Sequence, residues 1–185
     1  MSETTARLSK EDWVQGAFEV LVGKGIDQVK ISPLATALKV TKGSFYWHFK
    51  DRRALLDAML DAWYQQKTLD VITLVDATDT EPAARLLALM QSSIMARAGN
   101  ILEAAIRSWA RNDTAVNKKV GKIDAERIDY VKSLLLQMGF DQRSALSRAR
   151  VVCFSHAGVF WVGNKMTKVQ LLDFVQDLYL MTVTR

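Results

Sequence analysis

Apolar residues recur every three to four positions along nearly the whole of this chain, and little interrupts them. Only two prolines and nine glycines fall among its 185 residues. Strict alternation of apolar and polar side chains, the pattern of a half-buried strand, does not compete anywhere. The spacing therefore predicts an all-α protein of about nine helices.

Start and stop signals place them. Ser9 followed by Asp12 reads as a capped helix start, with Val14, Ala17, Phe18 and Leu21 on one stripe until Gly23 and Gly25. Ser32 and Pro33 read as the cap and first position of a brief second helix. Thr41 opens a third over about 42–48, and a fourth follows Asp51 with Leu56, Met59, Leu60 and Trp63 in register. A polar stretch from Val75 to Pro82 reads as a loop. Further helices are expected at 82–98, 101–111, 114–138, 142–162 and 167–183, separated at Gly99–Asn100, Asn112–Asp113, Gly139 and Gly163–Asn164. The domains expected are 1–63, built around two short helices joined by a tight turn, and 64–185.

Charge is unevenly spread. The net charge is +5, and Lys30, Lys39, Lys42, Lys50, Arg52 and Arg53, opposed only by Asp51, put the same excess into one short segment. A surface of that kind suits a polyanion. The lone Cys153, the absence of an apolar leader after Met1 and the absence of a spanning apolar run imply a reducing, cytoplasmic setting and no membrane partner.

The basic segment contains Phe45, Tyr46, Trp47, His48 and Phe49 in a row. Five consecutive helical residues cannot share one face. Phe45 and Phe49, one turn apart, belong to the core, which leaves Tyr46, Trp47 and His48 to point elsewhere. Thr41 can cap, Gly43 and Ser44 permit close approach, and Lys42 reaches a base edge or phosphate, as a helix lying in a major groove requires. Lys50, Arg52 and Arg53 also fit a plain solvated face, Arg53 most readily.

Residues 40–56, Val-Thr-Lys-Gly-Ser-Phe-Tyr-Trp-His-Phe-Lys-Asp-Arg-Arg-Ala-Leu-Leu, resemble the DNA-binding signature of TetR-type transcriptional regulators. The likeness covers about Leu8 to Tyr64. It implies that Lys42, Ser44, Tyr46, Trp47 and His48 face DNA, with Gly43 allowing approach and Thr41 and Lys50 near phosphates. It also implies a dimeric repressor of a near-palindromic operator, released by a small-molecule effector that the second domain encloses. Lys39 departs from the pattern, since the family commonly has glycine in that turn.

In the second domain, Met90, Ile94, Trp109, Tyr130 and Met138 read equally as core or as cavity wall. Glu103, Arg107 and His156 are the polar residues set within apolar stripes. The last two helices carry apolar surface on more than one face. Val151, Phe154, Gly158 and Trp161 on one, with Leu171, Val175 and Leu178 on the other, read as a four-helix dimer interface, or as the broad core of a monomer. Two histidines, no metal-ligand spacing and no phosphate-cradling loop give no basis for an enzyme, a cofactor or a metal. A helical interaction protein without specific DNA readout is the alternative.

Overall fold

The computed structural model describes residues 8–78, 81–95, 97–162 and 166–184, with side chains at 94–100 and 160–162 left aside. The chain divides into two compact units, Met1–Trp63 and Tyr64–Arg185. The described residues are helical throughout, as the spacing predicts, without a strand among them.

The first unit holds α1 (Lys10–Lys24), α2 (Ile31–Ala37), α3 (Lys42–Tyr46) and α4 (Arg52–Tyr64). Ser9 and Asp12 form a reciprocal cap on α1: the Ser9 N–H donates to Asp12 Oδ2 at 2.7 Å and the Asp12 N–H to Ser9 Oγ at 3.1 Å. Gly23 lies inside this helix, which ends at Gly25 with φ 82°. Trp13, Phe18 and Leu21 of α1 are buried, as are Leu34, Phe45, Leu55, Met59 and Trp63 of the other helices, and Trp13 meets Phe45 edge-on. A β-carbon on Gly16 would stand 2.9 Å from Leu38 Cδ2, so glycine lets α1 close against the end of α2.

Helix α2 starts two residues earlier than the Ser32–Pro33 signal suggests. Lys30 is the N-cap residue, and no side chain caps the helix. Proline remains harmless because it still falls within the first turn, whose N–H groups have no intrahelical partner.

The turn into α3 is a Schellman motif. The Val40 N–H donates to Ala35 O at 3.0 Å and the Lys39 N–H to Thr36 O at 3.1 Å, which forces Lys39 to φ 58°. The second unit builds the same turn after its helix Thr114–Gln137, where Phe140 donates to Leu135 and Gly139 to Leu136, with glycine at the left-handed position. Lysine pays about 1 kcal/mol for a conformation that glycine adopts freely. Lys39→Gly is therefore expected to raise the unfolding free energy by about 0.5–1 kcal/mol in urea denaturation, the larger freedom of unfolded glycine offsetting some of the gain.

The second unit begins where α4 gives way to a π-helical turn, Gln65–Leu69, followed by α5 (Asp70–Ala77). Tyr64 and Asp70, flanking the turn, keep α-type torsions. The stretch read as loop from Val75 is thus helical to Ala77, held there by the dense apolar run Val71, Ile72, Leu74 and Val75. Then come α6 (Pro82–Met95), α7 (Arg97–Asn112), α8 (Thr114–Gln137), α9 (Gln142–Val162) and α10 (Lys168–Val183). Gly99 and Asn100 do not separate one helix from the next; α7 already runs through them. Their helix cost is small enough for a long amphipathic helix to absorb. Asp113 caps α8, and Thr167 with Gln170 forms a capping box on α10. Gly163–Asn164 lies outside the described residues.

Helices α6, α8, α9 and α10 share a core of Leu86, Met90, Val131, Leu134, Leu135, Val152, Val175 and Leu178. Arg148 locks the end of α10: its Nη1 donates to the carbonyls of Met181 at 3.0 Å and Thr182 at 2.7 Å, while its guanidinium lies 4.6 Å from the Phe140 ring centre.

Candidate functional site

On the first unit, the aromatic run divides by geometry. Phe45 is fully buried and Phe49 nearly so, their rings stacked 5.3 Å apart, and Trp13 meets Phe45 edge-on at 5.3 Å. These contacts fix the short α3, which five residues of propensity could not hold alone. The next residues point away: Tyr46 is 53% exposed and Trp47 74%. Thr41, Lys42, Gly43 and Lys50 are exposed around them and Ser44 is half-exposed. Helix α3 is shorter than the sequence suggests, closing at Tyr46 with Trp47 as its C-cap residue. His48 lies beyond it, half-buried, with Nε2 enclosed and its ring tilted against Phe49. Thr41 occupies the N-cap position, but its hydroxyl makes no capping bond.

Arg52 departs from the solvated-face reading. Its Nε donates to Val29 O at 2.5 Å and its Nη2 to Ile26 O at 2.9 Å, so the guanidinium pins the turn between α1 and α2. Arg53 pairs with Asp57 on an open surface at 3.1 Å, a contact worth little. Two of the six basic residues therefore have structural or surface partners, and Lys39, Lys42 and Lys50 remain exposed beside Tyr46 and Trp47.

A sequence model described as "Bacterial regulatory proteins, tetR family" matches residues 14–59, the segment that builds this surface. This segment is similar to the DNA-binding region of the TetR family. Tetracycline repressor protein class D of Escherichia coli is 43% identical over 54 residues, which are 29% of this chain and 25% of that repressor. The chain thus matches about a quarter of the length of such relatives. Beyond the matched segment the likeness is one of fold. A transcriptional regulator from a Rhodococcus species superposes with TM-score 0.78 at 17% identity, covering 95% of this chain and 96% of its own. The superantigen PfiT does so with TM-score 0.73 at 17% identity, covering 97% of each chain. Fold alone does not carry function across such distances, and the surface residues of α3 must.

The second unit holds a partly open cavity of about 80 Å³, several times the ~15 Å³ that one water needs. Met90, Arg107, Tyr130 and His156 line it. Glu103 stands just behind, 3% exposed. Trp109 is buried elsewhere, and Met138 packs against the helical core; neither is among the lining residues. The side chain of Ile94 lies outside the described residues.

The sequence reading missed Asp124, Arg127, Thr68 and Lys67, all of which line the cavity. Arg107 reaches Asp124 with two bonds, Nη1 to Oδ2 at 2.8 Å and Nη2 to Oδ1 at 2.7 Å, and Glu103 Oε1 with Nε at 2.9 Å. Arg127 donates to Glu103 Oε1 at 3.1 Å and to Thr68 Oγ1 at 2.9 Å. Burial alone would raise the Glu103 carboxyl, but Arg127 and Arg107 outweigh it and hold it below its usual value. Burial pushes His156 down to about 4, against a smaller upward pull from Glu103, so it is neutral at pH 7. Burial likewise lifts the Cys153 thiol to about 12, leaving no thiolate at pH 7. Tyr130 is raised by burial and by donating to Asp76 at 2.7 Å.

The dimer stripe also needs correction. Val175 and Leu178 are 1% and 8% exposed, inside the unit's own core, and Leu178 lines the cavity. Helix α10 turns that face inward because α6 packs against it. Leu171 is half-buried against the same core. Val151 and Phe154 do face outward, 53% and 64% exposed, and a β-carbon on Gly158 would touch nothing. The Trp161 side chain lies outside the described residues.

Proposed function

We propose that the chain is a sequence-specific DNA-binding transcriptional regulator of non-enzymatic type, acting as a homodimer in the cytoplasm and released from its operator by a small molecule held in the second unit. The observation that carries this is the split in residues 45–49: Phe45 and Phe49 anchor the helix, while Tyr46 and Trp47 project beside Lys42 and Lys50. Aromatic side chains this exposed, ringed by cations, suit a partner with phosphates and base edges. The tetracycline repressors, whose matched segment is this one, are repressors by name, and that supports the same direction of control here.

Dimerisation is supported by apolar side chains that one chain leaves open: Val151 and Phe154 on α9, and Val169, Leu172, Leu180 and Met181 on α10, are all more than a third exposed. A two-fold dimer covers such faces once on each protomer. It would set two α3 helices about 34–36 Å apart, one turn of B-DNA. An effector releases the complex only if it binds one spacing better than the other. No helix among the described residues is long and apolar enough to cross a membrane.

The test is selection of bound duplexes from a random pool, then affinity for the winner and a scrambled control over a range of salt. The expected result is a two-fold-related consensus bound at least ~10³ more tightly than the control. Equal and steeply salt-dependent binding to both would reduce the surface to phosphate contact. No binding to either would leave a helical interaction protein.

A further inference from the structure

Taken as the effector site of the regulator proposed above, on which this inference rests, the cavity of the second unit combines aliphatic walls with a few charged groups. Its walls offer Val71, Ile72, Leu89, Met90, Val131 and Val152 to the body of a ligand. Its ionic groups are nearly all matched internally. Asp124 holds Arg107 with two bonds, and Glu103 accepts from both Arg107 and Arg127. Neither carboxylate is therefore left to receive a cationic ligand. The Tyr130 hydroxyl is committed to Asp76.

Lys67 is different. It lines the cavity, it is half-buried, and among the described residues it has no ion pair or hydrogen bond. Lys67, Arg107 and Arg127 set against Asp124 and Glu103 leave one positive charge, and Lys67 carries it. Its backbone belongs to the π-helical turn Gln65–Leu69, a rare geometry that recurs at functional sites. The turn brings Lys67 and Thr68 to the cavity together with Val71 and Ile72 of the next turn.

We propose that the cavity takes an anionic amphipath, a ligand with an apolar body and one carboxylate-like head, the head paired with Lys67. Such a ligand neutralises the residual charge and buries its apolar body against aliphatic walls. A cationic ligand of the same shape meets an uncompensated ammonium with no carboxylate to offset it. A neutral one gains only the apolar contribution.

The experiment compares octanoate, octanol and octyltrimethylammonium, which share one apolar tail, by calorimetry on the full chain at pH 7.5 and on a Lys67→Met variant that keeps the apolar stem. Octanoate is expected to bind at least tenfold tighter than either of the others. Lys67→Met should erase that preference while leaving the octanol affinity within about twofold. Equal or tighter binding of octyltrimethylammonium, binding of none of the three at millimolar concentration, or a carboxylate preference that survives Lys67→Met would overturn the proposal. No DNA enters these titrations. A failure of the regulator reading, seen in the duplex selection, is thus distinguishable from a failure of the ligand class.

Discussion

Tyr46→Ala is expected to abolish tight binding to the selected operator while leaving the fold intact. A lost base contact costs about 1–3 kcal/mol, and in a two-fold dimer each substitution is made twice. The combined loss of about 2–6 kcal/mol corresponds to roughly thirty-fold to ten-thousand-fold in affinity. Stability should fall by no more than about 1 kcal/mol, since the ring is 53% exposed and meets Phe45 edge-on at 5.4 Å. Phe45→Ala, by contrast, should unfold the first unit, because Phe45 is fully buried between Trp13 and Phe49. Gel-shift titrations with the consensus and scrambled duplexes decide the matter. If Tyr46→Ala weakens both duplexes equally, Tyr46 touches phosphate or sugar. If it weakens neither, the assignment of α3 as the reading element fails.

The same pair of residues shows what could be read from sequence. Phe45 and Tyr46 are adjacent, and only helical geometry separates an anchor from a contact, so period alone sufficed to sort them. The cap of α1 was legible for the same local reason, since Ser9 and Asp12 are three residues apart and complete in themselves, whereas Thr41, read the same way, makes no capping bond. Lys39 was singled out by the resemblance, which has glycine in that turn, and its φ of 58° supplies the physical reason.

What escaped was set by distance along the chain. Glu103 and Arg107 are one turn apart and stood out within an apolar stripe, but Arg127, the other partner of Glu103, is 24 residues away. A signal did exist on α8, where Asp124 and Arg127 lie one turn apart beside the buried Val120, Ile123 and Val131. Two opposite charges on a buried stripe mark an internal pair. Helix α10 failed differently. Its apolar surface wraps too far to reveal which face meets α6 and which is left open, and only packing put Val175 and Leu178 inside while exposing Val169 and Met181. The π-helical turn at Gln65–Leu69 has no sequence signature at all; nothing in Gln-Gln-Lys-Thr-Leu distinguishes it from an α-helical turn.

Glu103→Gln is expected to cost the second unit about 3–5 kcal/mol, the loss found when one member of a buried ion pair is removed and its partners stay. Two arginines depend on this carboxylate, with side chains 18% and 15% exposed against 4% for Glu103. Glutamine keeps the shape and one acceptor oxygen but leaves Arg107 and Arg127 facing Asp124 alone. The same carboxylate fixes the sign of the acid response. Its folded value lies below the ordinary 4.5, so it contributes stability that is present above that value and lost as pH falls through the lower folded one. Urea denaturation of the wild type should therefore show a loss below pH 4.5 that Glu103→Gln diminishes, because the variant has no proton to take up there. A cost under about 1 kcal/mol at pH 7 would mean that Asp124 and solvent satisfy both arginines, and the ionic cluster would then be a wetted surface of the cavity rather than its buried frame. Asp124→Asn separates the two cases: Asp124 is 34% exposed, so water replaces some of what it gives Arg107, and its loss should cost less than that of Glu103 if burial is what makes the cluster matter.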